Sequence, residues 1–234
     1  MKAVSIVLSL ITFFFWSRET SSVKIEILHQ ISPQVKIRIP DEKQIYTWSE
    51  QVRYSISISD SKDGDSKYGE IPSQECLLEL AYLPAGKEEE IKKVTEKKEE
   101  KGLSLMKKST CFGCHAHKTK LAGPSLQEIA ERYETTGENI KNIGNHILNG
   151  STGMWGDQQM PAHPDLTAEQ SQQIASYILE MGDHPYRWIY PGLEGTFRIM
   201  DKPEVDRDGV YVLTARYTST SGVEGKHSIV LKIR

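Results

Sequence analysis

Apolar residues along the 234-residue chain recur at two different periods, and the switch between them constrains the fold more than any other feature. Between Val23 and Tyr82 they alternate: Val23, Ile25, Ile27; Val35, Ile37, Ile39; Val52, Tyr54, Ile56, Ile58; Cys76, Leu78, Leu80, Tyr82. Lysine, arginine, serine and glutamate often fall between them, the pattern of half-buried strands. Cys76 shares a face with Leu78 and Leu80, which predicts a buried, apolar thiol. Alternation returns after Pro185, in "GTFRIM", "GVYVLTARYTSTSG" and "HSIVLKIR". Between the two flanks the spacing is helical.

Each flank is only about fifty to sixty residues, and so few strands rarely close a core alone. The reading is therefore an α+β multi-domain chain in which both flanks complete one β-sandwich around an inserted helical segment. The expected divisions are a signal peptide over 1–22, the first part of the sandwich over 23–85, the helical domain with a charged leading helix over 86–184, and the final strands over 185–234. Two independent β modules are the alternative.

The N-terminus has one lysine followed by an apolar and small-residue run from Ala3 to Trp16. Such a run is short for a spanning helix and suits the core of an export signal, which places the mature chain in the periplasm or outside the cell. No A-x-A pattern marks a cleavage site, so retention as an anchor is the alternative; if the signal is cleaved, no stable membrane span is expected. A formal charge of −3 and a pI near 6.2 give no reason to expect nucleic acid as a partner.

The central segment opens with a run from Lys87 to Lys101 in which all but Ile91, Val94 and Thr95 are charged. Glu88 with Lys92 and Glu89 with Lys93 have the favourable i,i+4 order, so a solvated helix or linker is expected. Three short helices are predicted further on. Ser125 and Glu128 form an S-x-x-E capping box ahead of Leu126, Ile129, Ala130 and Tyr133. Ile140, Ile143 and Ile147 make a second stripe. Thr167 opens another box ahead of Ile174, Tyr177, Ile178 and Met181, with Gly182 as a stop.

Between the charged run and these helices lies "CFGCH", with Cys111, Cys114 and His115. A thioredoxin-type pair would open a helix after a strand, and here it follows a charged helical stretch. Zinc has Cys111, Cys114 and two of His115, His117, His146 and His163 available, but the spacing after Cys114 fits no finger pattern. The remaining reading is covalent haem attachment. C-x-x-C-H puts two thiols where they add to the porphyrin vinyl groups, with an imidazole beside them to reach the iron.

Over roughly residues 100 to 183 the chain resembles the small class I bacterial cytochromes c. "GLSLMKKSTCFGCH" is similar to the family's first helix and haem motif, "AGPSL" to its proline loop, and "MWGDQQMP" to its methionine loop. The resemblance implies one haem c, with Cys111 and Cys114 as thioether sites and His115 and Met160 as axial iron ligands. It also implies that the Pro124 carbonyl accepts a hydrogen bond from His115, and that Trp155 lies against the haem edge. Gly102 is expected to permit close crossing of the first and last helices near Tyr177. Met154 is the rival ligand, while Met106 and Met181 are read as core. His117 and His163 are read as surface histidines beside the haem, and His146 as lying on the polar side of its helix.

The flanks, in "VRYSISISDSKDGD" and the last strands, are similar to PKD-type immunoglobulin-like domains, which occur beside cytochrome c domains in exported sugar dehydrogenase-like proteins. Asp60, Asp63 and Asp65 are read as a polar hairpin turn rather than a calcium loop. The expected function is electron transfer between redox partner proteins, an exported sugar dehydrogenase among them, and a respiratory acceptor, without catalysis. A ligand-binding or peroxidase-like haem enzyme, and a carbohydrate- or partner-binding sandwich with an accessory haem, are the alternatives.

Overall fold

A computed structural model describes residues 32–205 and 208–234 apart from residue 88, with the side chain of Asp183 left out. The expected signal peptide, the Val23–Ile27 alternation and the Glu88–Lys92 pair lie outside the described residues.

The first flank contributes β1 (Gln34–Ile39), β2 (Ile45–Tyr46), β3 (Gln51–Asp60), β4 (Gly64–Asp65) and β5 (Leu77–Leu83). The middle supplies α1 (Glu90–Glu96), α2 (Lys101–Lys108), α3 (Leu126–Arg132), α4 (Gly137–Asn149) and α5 (Ala168–Glu180). The last flank gives β6 (Arg187–Pro191), β7 (Glu194–Arg198), β8 (Val210–Thr218) and β9 (Glu224–Ile233).

Both sheets take strands from both flanks. In one, β3 pairs antiparallel with β1, β4 and β7, with Val52 opposite Phe197. The other has the order β2-β9-β8-β5-β6, antiparallel except where the short β2 runs parallel to β9. The alternating residues of β3, β5 and β8, including Tyr54, Ile58, Leu80 and Leu213, meet in one buried cluster between the sheets, and Cys76 is fully buried within it. Burial pushes the Cys76 thiol up to about 12, so it behaves as an apolar side chain. Ile39 departs from the expected alternation and is 47% exposed. The register of β1 against β3 slips between Ile37 and Ile39, and this bulge turns the side chain outward.

The second sheet is covered on its other face too. Leu77 and Ile189 belong to the same buried cluster as Leu103 and Met106 of α2 and Ile174 and Ile178 of α5. This explains why β5 and β8 are buried along nearly their whole length instead of at every second residue. Arg216 on β8 is buried there, held by Glu79 at 2.5 Å and by Glu224. The charged run is solvated along α1, which buries no residue, but its end is not. Glu99 and Lys107 face each other 2.5 Å apart, with side chains only 6% and 4% exposed. Residues flanking α1 turn against the sheet, where Lys226 Nζ donates to the Lys97 carbonyl and Thr218 Oγ1 donates to Glu99.

The three helices after the cysteine pair form where their caps and stripes predict. Ser125 with Glu128 and Thr167 with Gln170 both make reciprocal capping boxes, each a stabilisation of about 0.5–2 kcal/mol. At Gly102, a Cβ would stand 2.4 Å from the Gln173 carbonyl oxygen and 2.5 Å from the Tyr177 Cβ, so α2 and α5 cross at a distance only glycine allows. "SDSKDGD" is a hairpin turn between β3 and β4, and Asp63 accepts from the Tyr217 hydroxyl and the Thr220 N–H. Among the described residues no helix is long and apolar enough to cross a membrane.

Candidate haem site

The cysteine pair sits at the end of α2. Thr110 takes a left-handed conformation with φ 57°, turning the chain into a short 3-10 turn over Cys111–Gly113. The N–H groups of Cys114 and His115 both donate to the Cys111 carbonyl, at 3.1 and 3.0 Å. This compact turn sets both sulfurs and the imidazole along one cleft of about 1220 Å³, open mouth included. All three thiols of the chain are free. Cys114 is exposed, whereas partial burial pushes the Cys111 thiol up to about 11.

His115 is oriented by the loop that follows. Its Nδ1 lies 2.7 Å from the Pro124 carbonyl oxygen. A carbonyl can only accept, so Nδ1 carries the proton and the neutral ring keeps its lone pair on Nε2. Gly123 lies against this ring: a Cβ there would meet Cε1 at 2.4 Å, Nδ1 at 2.9 Å and Nε2 at 3.0 Å. The glycine N–H also donates to the Cys114 carbonyl at 3.0 Å, tying the loop to the cysteine turn. Sequence reading passed over Gly123, because a Gly-Pro pair signals a turn whatever packs on it.

Met160 lines the same cleft. After α4, Gly150 reverses the chain at φ 75°, and Ser151 and Met160 exchange two backbone hydrogen bonds of 3.1 and 2.9 Å. The loop between them is thus closed at its neck, with Met154 and Trp155 on its body. Trp155 lies edge-on to Tyr133 with centroids 6.5 Å apart. Met154, the rival ligand, lines the cleft as well.

The cleft brings together Cys111, Cys114, His115, Pro124, Trp155 and Met160, all six residues singled out from sequence. Their chemistry fits a haem: two thiols for covalent bonds, a nitrogen and a thioether for the axial positions, and an apolar wall that includes Met106, Leu126 and Ile147.

Two histidines, His146 and His117, sit differently from expectation, whereas His163 lies beside the cleft as expected. His146 lines the cleft; its spacing from Ile143 puts it on the apolar stripe of α4, which was the signal available in the sequence. His163 lines it too. His117 is not a surface residue beside the haem. It is 9% exposed, and its Nδ1 finds no hydrogen-bond partner. The ring borders a second, more polar cavity between α5 and the sheet, together with Glu79, Tyr177, Arg187 and Arg216. Desolvation lowers its pKa to about 4, with a small further push from Lys118.

Comparison with known proteins is informative for the central third of the chain. The cytochrome c family model matches residues 99–182. Over 80 residues, 34% of this chain, the sequence is 35% identical to cytochrome c-551 of Ectopseudomonas mendocina and covers 96% of that protein. It is 32% identical over 77 residues to cytochrome c-552 of Nitrosomonas europaea, covering 33% of this chain and 75% of that one. The crystal structure of wild-type Nitrosomonas europaea cytochrome c552 superposes with a TM-score of 0.31 and 33% identity, over 32% of this chain and 93% of that one.

Proposed function

The chain belongs to the cytochrome c family, whose members carry covalent haem c, and from that premise we propose that it is an exported electron-transfer protein rather than an enzyme. In this reading Cys111 and Cys114 would form the thioether bonds, and His115 and Met160 would hold the iron. The observation that carries it is one cleft lined both by the CFGCH turn and by the necked methionine loop. Haem c, when bound, supplies a one-electron iron couple.

The residues of the chain do the rest. The Pro124 carbonyl fixes the tautomer and plane of His115 and raises its basicity as a ligand. Met160, a soft thioether, favours the reduced iron and moves the potential upward. If His115 and Met160 both held the iron, no ligand place would be left for a substrate, which favours transfer over catalysis. Export rests on the Ala3–Trp16 run. The strands of 23–85 and 185–234 are read as one PKD-type immunoglobulin-like sandwich, supported by sheets that draw on both flanks. An exported sugar dehydrogenase as donor and a respiratory acceptor complete the proposal.

Two experiments test it. Haem should stay with the polypeptide through denaturing electrophoresis and be lost in the Cys111→Ala, Cys114→Ala double variant; colour extracted into acid acetone from the unmutated protein would refute covalent attachment. Ferric protein should show the weak red-end absorption of a thioether–iron bond. That band should vanish in Met160→Ala and persist in Met154→Ala, and the reverse pattern would move the ligand to Met154.

A further inference from the structure

Helix α3 runs from the loop that holds His115 to a contact with the methionine loop. At its start, Pro124 and the Ser125 cap adjoin the His115 bond. At its last residue, Arg132 reaches the methionine loop. Its Nη1 donates to the Met154 carbonyl at 3.0 Å, and its guanidinium carbon lies 4.5 Å from the Trp155 ring centroid and 5.5 Å from that of Tyr133. Together with the Trp155–Tyr133 edge contact, Arg132 fastens the body of the 151–160 loop to the end of α3, while the Ser151–Met160 bonds close only its neck.

We propose that Arg132 is a positioning residue for the sixth iron ligand: it clamps Met154 and Trp155 and so holds Met160 against the cleft. The inference rests on the reading of Met160 as that ligand. A planar cation can stack on an aromatic face while donating along its edge to a carbonyl, which a lysine ammonium cannot do in one geometry. The contact is therefore directional, and its loss frees the loop to swing about the Gly150 and Met160 ends without unfolding α3. Transient opening of the loop is what an external ligand needs to reach the iron.

The test uses the full-length, haem-loaded ferric protein with added imidazole. In Arg132→Ala the observed rate of imidazole binding should rise about tenfold, the size expected from losing one charge-assisted hydrogen bond and one cation–π contact. The red-end band should persist without imidazole, and the midpoint potential should fall. Arg132→Lys should recover the rate only in part, and Glu131→Ala, on the same helix, should leave it unchanged. Equal rates in the unmutated protein and Arg132→Ala would overturn the clamp. So would full recovery by lysine, which would assign the effect to charge alone. If Arg132→Ala does not accumulate, Arg132→Lys carries the same test, and a rate equal to the unmutated protein's refutes the clamp. An unmutated protein that lacks the band and binds imidazole at once would instead refute the Met160 assignment itself.

Discussion

The ring of His115 occupies the space a side chain would need at Gly123, with Cε1 only 2.4 Å from where a Cβ would stand. Gly123→Ala must therefore push the imidazole aside or move the loop. The substitution should cost about 1–3 kcal/mol in chemical denaturation, the range for an overpacked site. It should also lower the midpoint potential, because the ring loses its alignment with the Pro124 carbonyl. A stable variant of unchanged potential would show that the glycine is no part of the site.

Gly102 poses the same steric problem with a different readout. The obstructing atoms are the Gln173 carbonyl and the Tyr177 Cβ, neither of which is the end of a flexible side chain. Gly102→Ala should lower stability by about 1–3 kcal/mol, measured by denaturant midpoint. The visible spectrum of the surviving folded protein should match the original, since the crossing lies away from His115 and Met160.

The buried Glu99–Lys107 pair predicts strong non-additivity. Glu99 Oε1 and Lys107 Nζ are shut off from water, and apart from the long bond from the Thr218 hydroxyl to Glu99 the pair is held by opposite charge at 2.5 Å. Removing one partner, as in Lys107→Met, should cost about 3–5 kcal/mol by stranding the other charge. The Lys107→Met, Glu99→Leu double variant should recover most of that loss. Additive single effects would show that water reaches the pair.

His117 gives the chain an acid sensitivity with a defined window. An unfolded imidazole takes its proton near pH 6.5, whereas the folded one does so only at about 4. Between these values the unfolded state binds more protons, so stability declines as pH falls from 6.5 to 4 and levels off below. The full loss is about 3 kcal/mol at most. Urea midpoints taken across this range should decline, and His117→Gln should remove much of the slope. A His117→Gln profile that superimposes on the original would assign the acid sensitivity elsewhere.

What could be read from the sequence was local or strictly ordered. Ser125 with Glu128 and Thr167 with Gln170 announce their helices because a cap is satisfied within four residues. The inward set from Val52 to Ile58 follows from period two; Cys111, Cys114 and His115 follow from the C-x-x-C-H motif, and Pro124, Trp155 and Met160 from the resemblance to class I cytochromes c. What escaped depends on neighbours distant in sequence. Nothing in "KKEEKG" says that Glu99 will meet Lys107 under a sheet, or in "CHAHK" that the second histidine faces the sheet instead of the cleft. Ile39 escaped because a one-residue bulge reverses every side chain beyond it.

The sheets that draw on both flanks impose an order on folding. Ala81 of β5 pairs with Arg187 of β6, and the Tyr82 N–H donates to the Tyr186 carbonyl at 2.9 Å, yet the whole helical segment lies between them. Closing a flexible loop of roughly a hundred residues costs on the order of 4 kcal/mol in chain entropy. A helical segment that has already collapsed holds its two ends together and removes most of that cost before any strand pairs across it. The central segment then works as a clasp: until it is shut, β3 lacks its neighbour β7 and presents that edge to other chains. Whatever holds the central segment closed thereby also holds together strands that lie far from the cleft, and loosening it would leave those strands open to other chains.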